Sequence, residues 1–134
     1  MAAWIAFNSF LCKKYPGISG DRDKVRAFGN DHDYLTSHER KLKDVPYRRS
    51  VEILQDKGVK DMQQGSDRIF RIDNIVCFAE VMECVYQVRC NLFHGDKTVD
   101  EERDNNLVRA ANTIVLSHLD FVLNEFRNSS SNLC

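Results

Sequence analysis

From about residue 66 to about residue 126, apolar residues recur at helical spacing, with Gly95 standing between the two halves of the run. No alternating strand pattern of useful length competes with this period. The spacing predicts two long helices, one from about residue 66 or 73 to residue 93 and one from about residue 99 or 100 to residue 126. Glu101, Glu102 and Asp104 favour the first turn of the second helix, where the amide end attracts negative charge. A glycine-containing connection folds the two back as a long antiparallel pair.

The first half of the chain is more broken. Trp4, Phe7, Phe10 and Leu11 share a helical period and predict a first helix over about residues 2–14. Tyr15-Pro16-Gly17-Ile18-Ser19-Gly20 stops it. Asp21 reads as the N-cap of a short helix carrying Val25 and Phe28, and residues 29–33 read as a turn. Residues 34–57 are mixed, with Pro46 opening a helix that carries Val51, Ile53 and Leu54 and ends at Gly58. Residues 59–66 read as a polar linker. The expected fold is an all-α bundle of four to five helices, a single domain over residues 1–127 with a short disordered tail at 128–134.

Composition narrows the function classes. A net charge of -1 rules out a protein-wide basic field, so any nucleic-acid contact has to be local. The cysteines are Cys12, Cys77, Cys84, Cys90 and Cys134, an odd set with no C-x-x-C pair. They read as free thiols in a reducing cytoplasm, in preference to a disulfide framework or a structural zinc site. The apolar start has Lys13 and Lys14 after it and no basic segment before it, so it reads as a buried helix and not as a signal peptide. It is also too short to span a bilayer.

The chemistry concentrates at the end of the first long helix. At about 100° per residue, Phe78, Met82, Val85, Arg89 and Leu92 fall within about 40° of one direction. Glu80, Glu83, Gln87 and Asn91 fall around the opposite direction, which should be the solvated face. Arg89 thus sits within the apolar stripe. A guanidinium there has to reach an anion or a carboxylate elsewhere in the fold, because burying it without a partner is too costly. His94 lies about 140° from Arg89 around a regular helix. Gly95 should end that helix and let His94 swing away, and a second copy of the chain is another way to bring the two residue types together. A histidine at a helix C-terminus also complements the helix dipole.

The segment Val85-Tyr86-Gln87-Val88-Arg89-Cys90-Asn91-Leu92-Phe93-His94-Gly95-Asp96-Lys97 resembles the signature of HEPN domains, small all-α domains with an Arg-x(4 to 6)-His motif near the end of a long helix. Asn91-Leu92-Phe93-His94-Gly95 and the following Lys97 look like one bacterial branch of that family, as do Trp4-Ile5-Ala6-Phe7-Asn8-Ser9-Phe10 and Gly20-Asp21-Arg22. The resemblance implies a HEPN-like helical bundle that forms a homodimer, with the two Arg–His pairs facing a shared cleft. It implies a metal-independent endoribonuclease without a cofactor, set in a toxin–antitoxin or other defence system with RNA as substrate and a possible antitoxin protein as partner. By the same resemblance Arg89 and His94 are catalytic, and Asn91 and Lys97 support them. Other members are non-catalytic modules for dimerisation or for binding RNA or protein. The residue after the arginine, commonly asparagine in the nucleases, is here Cys90.

The remaining candidates have plainer readings. His118 lies on the stripe of Leu107, Ala111, Ile114, Phe121 and Val122 and reads as a core or interface histidine. His32 and His38, near Asp31, Asp33 and Glu39, have a spacing that could hold a metal but read as a solvated segment. Arg48-Arg49 and Lys41-Leu42-Lys43 read as a solvated basic helix face.

Overall fold

The structure, a computed structural model, describes the backbone of residues 2–94 and 101–131 and the side chains of residues 3–92 and 104–119. Among the described residues the order is α1 (Ala2–Lys14), α2 (Asp21–Gly29), α3 (His32–Lys41), α4 (Val45–Lys57), β1 (Val59–Lys60), β2 (Ile69–Phe70), α5 (Phe78–His94) and α6 (Glu101–Ser131). The fold is all-α apart from one small hairpin. It has more helices than the four or five expected, because α3 begins at His32, inside the stretch read as a turn, and takes up the first part of the mixed segment ahead of α4. Asp31 caps α3 by accepting from the Asp33 amide at 3.1 Å. Pro46 lies in the first turn of α4 and Gly58 follows its end, as their sequence positions suggest. Gly20, not Asp21, occupies the N-cap position of α2, and Asp21 and Asp23 lie in its first turn.

The segment expected to be a linker is the hairpin. Val59 pairs with Phe70 and Lys60 with Ile69 in antiparallel register. Gly58 has φ +71°, and a Cβ there would meet the Phe70 carbonyl oxygen at 2.7 Å. The hairpin can therefore fold back on the end of α4 only over a glycine. Strands of two residues carry no alternation to read, which is why hydropathy alone takes them for loop. They also delay α5, which begins at Phe78. Ahead of it, the backbone amides of Asp73 and Asn74 donate to the Glu80 carboxylate, so this stretch is a pinned approach to the helix.

Helix α5 is buried nearly all round. Phe78, Val81, Met82, Cys84, Val85, Tyr86, Gln87 and Val88 are all buried. The face expected to be solvated is covered by α2 and the hairpin. Arg22 donates to Glu83 at 2.9 Å and to Gln87 at 3.2 Å, and Arg26 donates to the other Glu83 oxygen. Polar residues on that face are used for packing through charge and hydrogen bonds, a signal that apolar periodicity does not carry. The expected pairing of the two long helices is also modified. They touch, but α5 packs most extensively on α2, and α6 packs most extensively on α4 and then on α1. Helix α6 continues past the expected end near residue 126 to Ser131, since no glycine or proline stops it, and residues 132–134 lie outside the described residues.

An aromatic core locks α1, α2, α3 and α5 together. Phe28 is its centre, with Phe7 at 5.0 Å, Tyr34 at 4.4 Å and Phe78 at 5.4 Å between ring centroids. Next to it, α2 and α5 cross closely at Gly29, where a Cβ would lie 2.9 Å from the backbone of Ala79. Backbone cannot yield as a flexible side chain can. We expect Gly29→Ala to destabilise the fold by about 1–3 kcal/mol, measured as a lower urea midpoint with an unchanged m-value.

Candidate functional site

The last two turns of α5 carry the sequence-predicted site. Arg89 is half-buried on the side of α5 that faces α1. Its guanidinium lies 5.3 Å from the ring centroid of Trp4 and 5.9 Å from that of Tyr86. The two rings themselves pack at 5.9 Å. Trp4 is brought there because the apolar face of α1 is buried along Trp4, Phe7 and Leu11. Tyr86 precedes Arg89 by one turn, close enough to share a helix face. Sequence reading offered Arg89 an anion or a carboxylate. The fold adds aromatic faces, which attract a cation by about 0.5–2 kcal/mol and restrict the guanidinium to few orientations.

Tyr86 is held in turn. Burial, and then the neighbouring Cys90 thiol one turn later, push its phenol above the ordinary tyrosine value. Cys90 therefore packs beside Tyr86, against the core.

Asn91 lies on another side of the helix. Its Oδ1 accepts from the Met62 amide at 3.0 Å and from Gln87 Nε2 at 2.9 Å, and its Nδ2 donates to the Lys60 carbonyl at 2.7 Å. These bonds anchor the hairpin to the end of α5 and direct the amide away from Arg89. His94 is the last residue of α5; its side chain, and Lys97 entirely, lie outside the described residues. The structure thus groups Arg89 with Trp4 and Tyr86 and separates it from Asn91. Trp4 and Tyr86 were not among the sequence-predicted site residues. The signal that could have found them is the coincidence of an aromatic one turn before an arginine that interrupts an apolar stripe.

A second polar cluster lies in the core. His38, read from sequence as part of a solvated segment, is fully buried. Tyr34, Ser37 and His38 form the inward face of α3, so a polar-looking helix turns its histidine to the core. His38 Nε2 donates to the Ile75 carbonyl at 2.7 Å, because a carbonyl can only accept. Neutral His38 then accepts at Nδ1 from the Tyr47 hydroxyl at 2.6 Å. With its proton so placed, the Tyr47 oxygen accepts from His118 Nε2 at 2.8 Å. His118 Nδ1 remains a buried acceptor without a partner among the described residues. Burial lowers both histidines, His118 to about 3, with Lys41 adding to the effect on His118. His118 is the core histidine its position on the α6 stripe implies. Among the described residues no group of histidine, cysteine and acidic side chains could hold a metal ion, and no helix is long and apolar enough to cross a membrane.

This chain of bonds makes stability depend on pH. Both histidines bind a proton in the unfolded state below about pH 6.5 but resist it when folded. The unfolded state then holds more protons, so stability is full above that pH and falls as pH drops towards about 3, where His118 titrates in the fold. For His118 the slope reaches about 1.4 kcal/mol per pH unit, and His38 adds in the same direction. A thermal-unfolding series from pH 7.5 to pH 4.5 should show a falling midpoint, and His118→Phe should flatten it. Tyr47→Phe removes the hydroxyl between the two rings and should cost about 2–4 kcal/mol in urea unfolding at pH 7.5.

Comparison of the chain with models of known protein families, with curated proteins and with solved structures finds no match.

Proposed function

We propose that this chain is a HEPN-type, metal-independent endoribonuclease that works as a homodimer, with Arg89 and His94 as its catalytic residues. The observation that carries the reading is the setting of Arg89. An always-charged group interrupts the apolar stripe of a central helix, is braced by Trp4 and Tyr86, and stands five residues before a histidine at the helix end. Bracing matters because a guanidinium that is already oriented loses less entropy on meeting a phosphate. Ile5, beside Trp4, and Leu92, one turn after Arg89, expose 73% and 48% of their surfaces. Apolar side chains next to the site support a second copy packing there.

In this reading the RNA 2′-oxygen attacks the adjacent phosphorus and the bond from phosphorus to the 5′-oxygen breaks. The products are a 2′,3′-cyclic phosphate and a free 5′-hydroxyl. A histidine whose ordinary pKa is about 6.5 suits both proton transfers, from the 2′-hydroxyl and to the departing 5′-oxygen. Arg89 offers paired N–H donors to the non-bridging oxygens as negative charge builds on them. DNA lacks the nucleophile and is not a substrate. Lys97 supports RNA binding from just beyond the helix end, and Asn91 supports the site by fixing the hairpin to α5. A cytoplasmic toxin or defence role, with an antitoxin protein as partner, belongs to the same proposal.

Cys90, where nuclease members commonly have asparagine, favours one other reading. A non-catalytic HEPN module for dimerisation, or for binding RNA or protein, would keep the Arg89–Trp4–Tyr86 stack purely as a structural element. The two readings separate in one assay. Purified protein incubated with RNA in EDTA should cleave it, and Arg89→Ala and His94→Ala should each lose at least about 100-fold in rate. Variants that cleave as fast as wild type would place the activity elsewhere. A folded, dimeric wild type without cleavage would select the binding module.

A further inference from the structure

The stack at Arg89 does not end at Tyr86. The Arg22 guanidinium lies 4.8 Å from the Tyr86 ring centroid and 5.2 Å from that of Phe70. Arg68 lies 4.3 Å from the same Phe70 ring. Side chains from α1, α5, α2 and the hairpin thus form one alternating row, Trp4, Arg89, Tyr86, Arg22, Phe70 and Arg68. Each neighbouring pair of guanidiniums shares a ring, with ring-to-cation distances of 4.3 to 5.9 Å along the row.

The rings are not open to a ligand. Trp4, Phe70 and Tyr86 are buried, so bases cannot stack on them. Their faces are occupied by the arginines, of which Arg22 also donates from Nη1 to Glu83 and from Nη2 to Gln87. Arg22 keeps about a third of its side chain exposed, and Arg68 is exposed. Glu83 is the carboxylate bonded within the row; it is shared between Arg22 and Arg26, and Arg26 also pairs with Asp23 at 3.6 Å. Among the described residues no carboxylate forms an ion pair with Arg68. Its backbone is nevertheless fixed, since its amide donates to Ser66 Oγ at 3.3 Å and its carbonyl accepts from the Asp61 amide at 2.9 Å. The hairpin that carries Arg68 is tied to α5 through Asn91. The backbone that carries Arg68 is therefore held in place, and the row is a line of cations leading away from the Arg89 end.

We propose that Arg22 and Arg68 extend the Arg89 site into a binding track for the phosphate backbone of single-stranded RNA. The proposal rests on the ribonuclease reading for its choice of polyanion. Guanidiniums stacked on rings hold their N–H edges in the plane where phosphate oxygens can be met by two donors at once. A flexible single strand can follow a row that bends over several elements, whereas a duplex presents a fixed phosphate spacing. The track reads backbone and not sequence.

The test uses the full chain in a His94→Ala background, so that RNA stays intact, with a fluorescein-labelled oligouridylate and anisotropy over a range of salt. Arg68→Ala should weaken binding about fivefold and lower the slope of log affinity against log salt by about 0.7, the value for one lost phosphate contact on a single strand. Arg48→Ala on α4 removes the same charge away from the row and should change neither. Equal effects of the two substitutions, no effect of Arg68→Ala, or no binding of the RNA at all would overturn the track. Cleavage by the otherwise wild-type chain is read separately. RNA binding that depends on Arg68 without any cleavage would remove the nuclease and leave the track. Cleavage with binding indifferent to Arg68 would do the reverse.

Discussion

The rest of the molecule depends on the enclosure of α5. One side of this helix packs its valines, Met82 and Phe78 into the aromatic core, each fully buried aliphatic or aromatic side chain contributing about 1.5–3 kcal/mol. The other side is closed by Arg22 and Arg26 on Glu83 and by the hairpin on Gln87 and Asn91. A helix held from both sides cannot roll. Whatever stands at its C-terminal end, Arg89 first, is presented at a fixed angle to the elements around it.

That enclosure explains why cations and rings meet where they do. Tyr86 and Arg89 are on α5 itself, Trp4 reaches them from α1, Arg22 reaches Tyr86 from α2, and Phe70 of the hairpin meets Arg22. None of these contacts is local in sequence except the one within α5. The core histidines obey the same logic in a drier setting. His38, Tyr47 and His118 come from three helices, and their single chain of hydrogen bonds is tolerable in the core because the Ile75 carbonyl sets the direction of every proton in it.

Much of the helical framework was legible beforehand. The ends of α1 and α4 and the positions of Arg89 and His94 near the end of a long helix follow from period, Pro46, Gly58 and Gly95. The hairpin was not legible, because Val59–Lys60 and Ile69–Phe70 are too short to show alternation and their stability comes from α5 beneath them. The burial of His38 was missed because α3 is polar in composition, and only its partners on α4 and in the Ile75 segment make an inward histidine affordable.

The sequence by itself determined the all-α class, the long helix that ends near His94 and the presence of an arginine inside its apolar stripe. These are matters of local period and local stop signals, which neighbours in the chain decide. The tertiary structure decided what Arg89 does with its charge and which residues surround it. That outcome needs Trp4, Tyr86, Arg22 and Phe70 brought together from four elements, and such contacts are fixed by the packing of whole helices around α5, which no local pattern encodes.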